Sequence, residues 1–311
     1  KDSESKEEVL FLIKKGESLS QIAKNLEEKG LIRNKTLMEW YIFLKGKEKN
    51  IIAGEYNLSP SMSLKEIVDK ICSGEVVHIK ITIPEGWNLR DIAFYFENKG
   101  MFQAEEFWQV AGFPAIDYNK ALDLPKPQDF SGEFTFLQDK PTNIGLEGYL
   151  FPDTYFIQKS ATPEDIVRVF LENFDQKLTS DLRQEIQRQG KTIFEIVTMA
   201  SLLEKEVKTK EDKEIVSGIL WKRLKYKIPL QVDATITYIT GKKSTKVSIV
   251  DTQIDSPYNT YKYKGLPIGP ICNPGMESIL AAIYPKKSDY WYYLSTPDGK
   301  TLFSRTLEEH N

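Results

Sequence analysis

The sequence has few histidines, few cysteines and no long apolar run, and each shortage excludes a class of protein. Two histidines among 311 residues, His78 and His310, argue against a histidine-rich metal site and against a Ser–His–Asp triad. The two cysteines, Cys72 and Cys272, are far apart, contain no CxxC pair and set no disulfide framework. No run of about 18 apolar residues exists that would span a bilayer. We predict neither a metal nor a cofactor.

The chain also lacks an excess of charge of one sign. The formal net charge is −3, with 28% charged and 41% hydrophobic residues, which is ordinary for a soluble globular protein. A nucleic-acid-binding protein would normally carry a basic face and a high pI, so no nucleic-acid partner is predicted. The length of 311 residues favours two domains over one.

An amphipathic helical pattern occurs three times in the first hundred residues, in "GESLSQIAKNLEEKG", "SMSLKEIVDKICSG" and "GWNLRDIAFYFENKG". Apolar residues at i, i+3, i+4 and i+7 make one buried stripe in each copy. Each copy ends in a glycine, which suits the left-handed position that follows a helix. The predicted N-terminal capping boxes are Ser18 with Gln21, Ser63 with Glu66 and, in a looser form, Asn88 with Asp91.

Around the first copy, the pattern predicts a strand, two helices and a second strand. The predicted ranges are Val9–Lys14, Leu19–Lys29, Thr36–Leu44 and Ile51–Leu58. Together with "KKGESLSQIAKNL", this βααβ order resembles the LysM fold, a small carbohydrate-binding module. Two interpretations stay open at this point: a sugar-binding module, and a scaffold whose helices merely pack in the same way.

The pattern loosens between Met101 and Asn143, where aromatic, proline and acidic residues mix as in an insertion or linker. We place the domain boundary there and predict an α+β fold. Residues 1–143 form a LysM-like N-terminal domain with extra helix and strand units, and residues 144–311 form a second domain of helices and short strands. Its predicted helices are Pro163–Leu178, Asp181–Arg188, Ile193–Lys208 and Lys213–Tyr226, and its predicted strands are "TITYIT", "DYWYYLST" and "TLFSRT".

The predicted helix Ile193–Lys208 carries two glutamates beside its apolar face. Glu204 and Glu206 fall on opposite edges of that face, so their carboxylates cannot pair with each other. A carboxyl group at such an edge is partly desolvated, which raises its pKa and suits it to give a proton to a leaving oxygen and take one back. The alternative is that one or both glutamates are solvated, or paired with Lys205, Lys208 or Lys210.

The segment 256–275, "SPYNTYKYKGLPIGPICNPG", is rich in proline, glycine, tyrosine and asparagine. Aromatic faces stack on sugar rings, and amide and hydroxyl groups bond sugar hydroxyls. As composition alone this signal is weak, because such segments are commonly only loops. Next to a glutamate at the edge of an apolar face, it favours a saccharide-binding cleft.

Five motifs occur in one order along the chain: "EGYLFPDTY", "MASLLEKE", "LQVDATITY", "YNTYKYKGLPIGPICNPG" and the closing "EHN". Together they resemble the MltG/YceG-like endolytic murein (peptidoglycan) transglycosylases of bacteria, and the resemblance covers nearly the whole chain. In that family the catalytic glutamate lies in the "EKE" stretch, which points to Glu206, with Glu204 as the fallback. The family often has a hydroxyl residue next in the chain, whereas Val207 stands there in this sequence.

The resemblance implies a lytic transglycosylase that cleaves the MurNAc–GlcNAc β-1,4 bond without water and leaves a 1,6-anhydro-MurNAc end. One glutamate then serves as both general acid and general base. For Tyr155 and Asp233, roles in packing and turn capping are equally open. The residues within the matching motifs that we expect to line the substrate cleft are Glu147, Tyr155, Gln231, Asp233, Tyr258, Asn259 and Tyr261.

The resemblance also implies where the protein works. Family members are usually held at the outer face of the cytoplasmic membrane by one N-terminal helix, and we expect that helix to precede Lys1. The expected partners are peptidoglycan strands and enzymes of cell-wall synthesis. Two other functions stay open: a non-catalytic peptidoglycan-binding scaffold, and a hydrolytic muramidase that uses Asp233 or Glu147 as a second carboxylate.

Overall fold

The computed structural model describes residues 8–242, 247–296 and 300–310. These residues form twelve α-helices and six short strands, which confirms the predicted α+β class. They divide into two compact units, Lys1–Ile81 with Thr154–Thr162, and Thr82–Asp153 with Pro163–Asn311. Within the described ranges, no helix combines the length and the apolarity that crossing a membrane requires.

The first unit contains the predicted βααβ order. Strands β1 and β2 pair antiparallel, with Phe11 opposite Tyr56, and β3 pairs with β4. The order is confirmed, whereas membership of the LysM fold stays a prediction. The bounds are β1 Val9–Ile13, α1 Leu19–Glu28, α2 Lys35–Leu44, β2 Gly54–Leu58, α3 Leu64–Ser73, β3 His78–Thr82 and β4 Thr154–Gln158.

Of the two capping boxes predicted in the first unit, the structure contains one. Ser63 and Glu66 form the full reciprocal capping box at the start of α3. At the start of α1 the Ser18 hydroxyl accepts a hydrogen bond from the Gln21 N–H at 3.2 Å. The Gln21 side chain, however, donates a hydrogen bond to Asn25 at 2.8 Å and accepts none from the Ser18 N–H. Thus α1 has a single cap and not the predicted box.

The apolar stripes of α1 and α3 form the core of the first unit together with the inward residues of β1 and β2. The first position of each stripe, Leu19 or Leu64, is only partly buried because it lies in the exposed first turn. The stripe residues that are buried are Ile22, Ala23, Leu26, Ile67, Val68 and Ile71.

The second unit holds nine of the described helices and the β5–β6 hairpin. Here the third pattern copy forms α4, and Asn88 with Asp91 makes a full capping box, tighter than predicted. The bounds are α4 Leu89–Asn98, α5 Ala104–Ala111, α6 Pro163–Lys177, α7 Ser180–Arg188, α8 Ile193–Glu206, α9 Lys210–Lys225, α10 Asp233–Thr240, α11 Met276–Ile283, β5 Tyr292–Ser295, β6 Thr301–Ser304 and α12 Leu307–His310.

The segment "TITYIT" was predicted as a strand, and that prediction is wrong, because it lies in helix α10. Its β-branched residues favour strands only weakly, and tertiary packing overrides such a preference. Thr237 and Thr240 turn their hydroxyls back to the carbonyls of Ala234 and Ile236 at 3.0 Å, so both polar groups are satisfied within the helix. The strands predicted in "DYWYYLST" and "TLFSRT" are confirmed as β5 and β6.

The compact units divide after Ile81, whereas the sequence predicted a domain boundary after residue 143. Residues 82–153 belong to the second unit because α4 and α5 pack on each other and α5 packs on α6. A boundary between independently folding domains at 143/144 stays a prediction.

Helix α8 is the central element of the second unit and packs against α11 and α9. Its apolar face is fully buried, as the periodicity predicts, with Ile196, Ala200 and Leu203 at 0% exposure. The helix ends at Glu206, and Val207 is extended. Glu206 therefore stands at the negative end of the helix dipole, where a carboxylate is disfavoured.

Candidate active site

A cavity of about 650 Å³ opens beside the C-terminal end of α8. It is bounded by α8, α9, α10, the segment after α9, strand β5 and α12. The side chains that give the cavity its chemistry are Glu206, Arg223, Gln231, Asp233, Tyr261, Tyr292 and Tyr293.

Glu206 is the partly buried carboxyl group of this cavity. Burial raises its pKa to about 7, and the nearby negative charge of Asp233 acts in the same direction. The Tyr293 hydroxyl donates a hydrogen bond to its carboxylate at 2.9 Å, and this bond and the Ala234 N–H oppose the rise in pKa. A carboxyl group with a pKa near neutrality exists in both protonation states at physiological pH, as a general acid and base requires.

Asp233 and Tyr261 form a pair on another wall of the same cavity. The Tyr261 hydroxyl donates a hydrogen bond to the Asp233 carboxylate. Burial and the adjacent Asp233 raise the pKa of Tyr261, which therefore stays protonated. Gln231 lies at the rim with an exposed side chain and a positive φ of 55°, a backbone conformation that costs energy for a residue other than glycine. Its N–H donates to Thr260 at 3.1 Å, which holds it in place.

Glu204 faces the opposite side of α8, as the helical periodicity predicts, and does not line the cavity. Its carboxylate pairs with Lys213 at 3.4 Å. It also accepts hydrogen bonds from the Ser278 hydroxyl at 2.6 Å and the Gly275 N–H at 3.1 Å. With its side chain only 9% exposed, Glu204 ties α8 to α9 and to the start of α11.

Glu147 is buried away from the cavity, with 3% of its surface exposed. Three donors surround its carboxyl group: the Leu89 N–H at 3.0 Å, the Tyr238 hydroxyl at 3.0 Å and the Asn273 amide at 3.2 Å. Burial nevertheless raises its pKa to about 8. This arrangement joins α4, α10 and the 256–275 segment, and it makes Glu147 a buried anchor of the second unit.

Asn259 and Tyr258 are buried inside the segment that presents Tyr261. The Asn259 amide donates to the carbonyls of Thr252 at 2.9 Å and Ile254 at 2.8 Å, while its oxygen accepts from the Tyr261 N–H at 2.9 Å. Tyr258 is 2% exposed, and its ring packs edge-on against another tyrosine ring. Both residues shape the segment from within.

Tyr155 lies in strand β4 of the first unit and is buried, so its role in a site stays a prediction. Of the residues expected from the sequence, the structure brings four together at one cavity: Glu206, Gln231, Asp233 and Tyr261. The others in the second unit, Glu147, Glu204, Tyr258 and Asn259, do not line it.

The sequence reasoning missed Tyr293 and Arg223. Tyr293 was seen only as part of a predicted strand, and the pairing of β5 with β6 that fixes its position cannot be read from its local sequence. Arg223 lies in "LWKRL" on helix α9, a stretch that contains no motif typical of a functional site. One signal in the sequence could have identified Arg223: it is a charged residue at a position of α9 that the helical periodicity predicts to be buried.

Comparison with known proteins identifies one family and several similar proteins. The YceG-like family model matches residues 11–311. A protein of Bacillus subtilis (strain 168) named endolytic murein transglycosylase is 34% identical over 312 residues, covering 100% of this chain and 85% of the relative. One of the same name from Streptococcus pneumoniae (strain D39) is 32% identical over 326 residues, and this chain spans 58% of its length.

Among solved structures, the 2.6 Å crystal structure of a YceG-like protein from Listeria monocytogenes matches with a TM-score of 0.63 and 34% identity. The match covers 98% of this chain and 99% of the Listeria chain. The family model, the Bacillus subtilis relative and the crystal structure together establish that the chain belongs to the YceG-like family.

Proposed function

We propose that this protein is an endolytic peptidoglycan lytic transglycosylase and that Glu206 is its single general acid and base. The observation that carries the proposal is the Glu206 carboxyl, which lines a cavity of sugar-binding size with a pKa raised to about 7. The relatives named endolytic murein transglycosylase support the substrate and the type of reaction.

The proposed reaction needs one carboxyl group because the nucleophile belongs to the substrate. Protonated Glu206 gives its proton to the oxygen of the MurNAc–GlcNAc β-1,4 bond, and the bond from that oxygen to C1 breaks. The resulting carboxylate takes the proton of the 6-hydroxyl on the same MurNAc, and O6 forms a bond to C1. The products are a 1,6-anhydro-MurNAc end and a free GlcNAc hydroxyl, and Glu206 is protonated again. Proximity of the internal hydroxyl replaces a second catalytic group.

A hydrolytic muramidase is the second candidate, because Asp233 lines the same cavity and is a second carboxylate. Its bond to the Tyr261 hydroxyl favours a positioning role over activation of water. Mass spectrometry of digested peptidoglycan separates the candidates. Anhydro ends support the proposal, reducing MurNAc ends indicate hydrolysis, and the absence of cleavage indicates a glycan-binding scaffold.

The pH dependence of cleavage tests the role of Glu206. We expect the rate to fall as pH rises through about 7, because the proton-donating form is lost there. Tyr293→Phe removes the hydrogen bond that favours the carboxylate, so the pKa of Glu206 rises. The falling limb should then move to higher pH by about one pH unit, with little change in rate below pH 6. An unmoved limb in Tyr293→Phe contradicts Glu206 as the group that sets it.

We further place this activity at the outer face of the bacterial cytoplasmic membrane, where peptidoglycan strands are made, with enzymes of cell-wall synthesis as neighbours. The substrate named for the relatives supports this location. Anchoring through an N-terminal membrane helix belongs to the same proposal. Fractionation of cells that express the protein from its own gene tests the location, and recovery in the cytoplasm contradicts it.

A further inference from the structure

Three charged residues are buried within the described ranges: Glu147, Lys213 and Arg223. The first two have partners that account for their burial. Glu147 accepts three hydrogen bonds, and Lys213 pairs with the Glu204 carboxylate. Arg223, which is 6% exposed, is the one of the three that lines the cavity containing Glu206.

No carboxylate of the described residues lies within 4.0 Å of the Arg223 guanidinium. One hydrogen bond is present, from Nη1 to the Leu230 carbonyl at 2.9 Å. Nε is buried without a partner, and no bond from Nη2 to any described residue is present. Burying a positive charge without a counter-ion is costly. An arginine in this state at the wall of a cavity is suited to pair with an anion that arrives with the substrate.

An aromatic ring of the cavity wall contacts the Arg223 guanidinium group. The group lies over the ring of Tyr292, at 5.1 Å from its centroid, and Tyr292 stacks on His310 at 5.3 Å. A guanidinium beside an aromatic ring can still donate hydrogen bonds to an anion, and the carboxylate is the anion whose geometry suits it. Arg223 also makes the cavity more positive, since it opposes the rise in the pKa of both Tyr261 and Tyr293.

We propose that Arg223 forms a carboxylate-binding subsite in the cavity that also contains the acid Glu206. This inference rests on the proposed function, which supplies peptidoglycan as the substrate. Two carboxylates are available on such a strand. One is the lactyl carboxylate of MurNAc, which is free when the peptide stem is absent, and the other is a carboxylate of the stem itself. Both present the same planar anion to the guanidinium.

The test compares three forms of uncrosslinked glycan strands: with peptide stems, without stems, and with every carboxyl group converted to a neutral methylamide. For the wild-type protein we expect the neutralised strands to have a KM about tenfold higher than the preferred carboxylated form, with kcat changed far less. The carboxylated form with the lower KM identifies the source of the anion. This comparison needs no substitution, so it does not depend on the folding of a variant.

Substitutions then locate the effect. Arg223→Gln should raise KM for carboxylated strands about tenfold and leave KM for neutralised strands unchanged, and Arg223→Lys should fall between the two. Lys225→Gln, an exposed lysine of the same helix, is the matched control and should change neither. A structural role for Arg223 predicts equal losses on all strands, and that result overturns the proposal. Equal KM values for charged and neutralised strands with the wild-type protein overturn it as well.

Failure of the subsite and failure of the proposed function give different results. If no strand is cleaved by the wild-type protein, the transglycosylase proposal is wrong. Binding of the same three strands, measured by calorimetry, then still reports on Arg223. A preference for carboxylated strands that Arg223→Gln removes supports the subsite, and no preference refutes it.

Discussion

Replacing Glu206 by glutamine is expected to reduce strand cleavage by at least about 10²-fold, because an amide keeps the size of the side chain but cannot supply a proton. The cavity should keep its shape, since glutamine still offers an oxygen to the Tyr293 hydroxyl that contacts Glu206 at 2.9 Å. Release of anhydro-muropeptides, measured by mass spectrometry on equal amounts of folded protein, checks the prediction.

The thermal stability of the same variant provides an independent check. The pKa of Glu206 is about 7 in the folded protein and 4.5 for an ordinary glutamate. Between these values the folded state binds more protons than the unfolded state, so the wild-type protein loses stability as pH rises through this window. Glu206→Gln removes that loss. We expect the variant to be at least as stable as the wild-type protein at pH 8, which separates lost chemistry from lost folding.

Glu204→Gln is the matched control on the same helix. Its carboxylate is paired with buried Lys213, so the substitution leaves a buried positive charge without its counter-ion and should lower the melting temperature. Folded Glu204→Gln protein should still cleave strands, because Glu204 does not line the cavity. If Glu204→Gln is inactive and Glu206→Gln is active, the assignment of the acid is reversed. If both variants are active, the mechanism is wrong.

The sequence predicts the placement of the two glutamates on α8, because that placement follows from local helical periodicity. An α-helix of known register puts residues 204 and 206 on opposite edges of an apolar face, and the structure has them there. The same local logic predicted the stripes of α1, α3 and α4 and the capping boxes of α3 and α4, but not the single cap of α1.

The remainder of the site depends on contacts between distant segments. Helix α10 was read as a strand because burial against α8, and not its own composition, decides its form. Tyr293 reaches Glu206 only through the β5–β6 hairpin. Tyr258 and Asn259 lie in the expected segment, yet the fold turns them inward while Tyr261 faces the cavity. A motif identifies such a segment but does not tell which of its side chains are exposed to a substrate.

Replacing Glu147 by leucine is expected to destabilise the protein by roughly 3–5 kcal/mol, because three buried donors lose their acceptor in one step. The donors are the Leu89 N–H, the Tyr238 hydroxyl and the Asn273 amide. Leucine has a similar volume, so the loss arises from unsatisfied polar groups and not from a cavity. Urea unfolding at pH 6 measures it, where wild-type Glu147, with a pKa of about 8, is protonated.

Two further substitutions show whether the carboxyl group anchors the fold or contacts the substrate. Glu277→Leu, at an exposed carboxylate of α11, should change stability by less than about 0.5 kcal/mol. Glu147→Gln keeps one acceptor oxygen and should fall between the leucine variant and the wild-type protein. It should also lack the loss of stability that the wild-type protein shows between pH 4.5 and about 8. A Glu147→Leu protein that is as stable as the wild-type protein but inactive would contradict the anchor and assign Glu147 to the glycan cleft, as its motif first indicated.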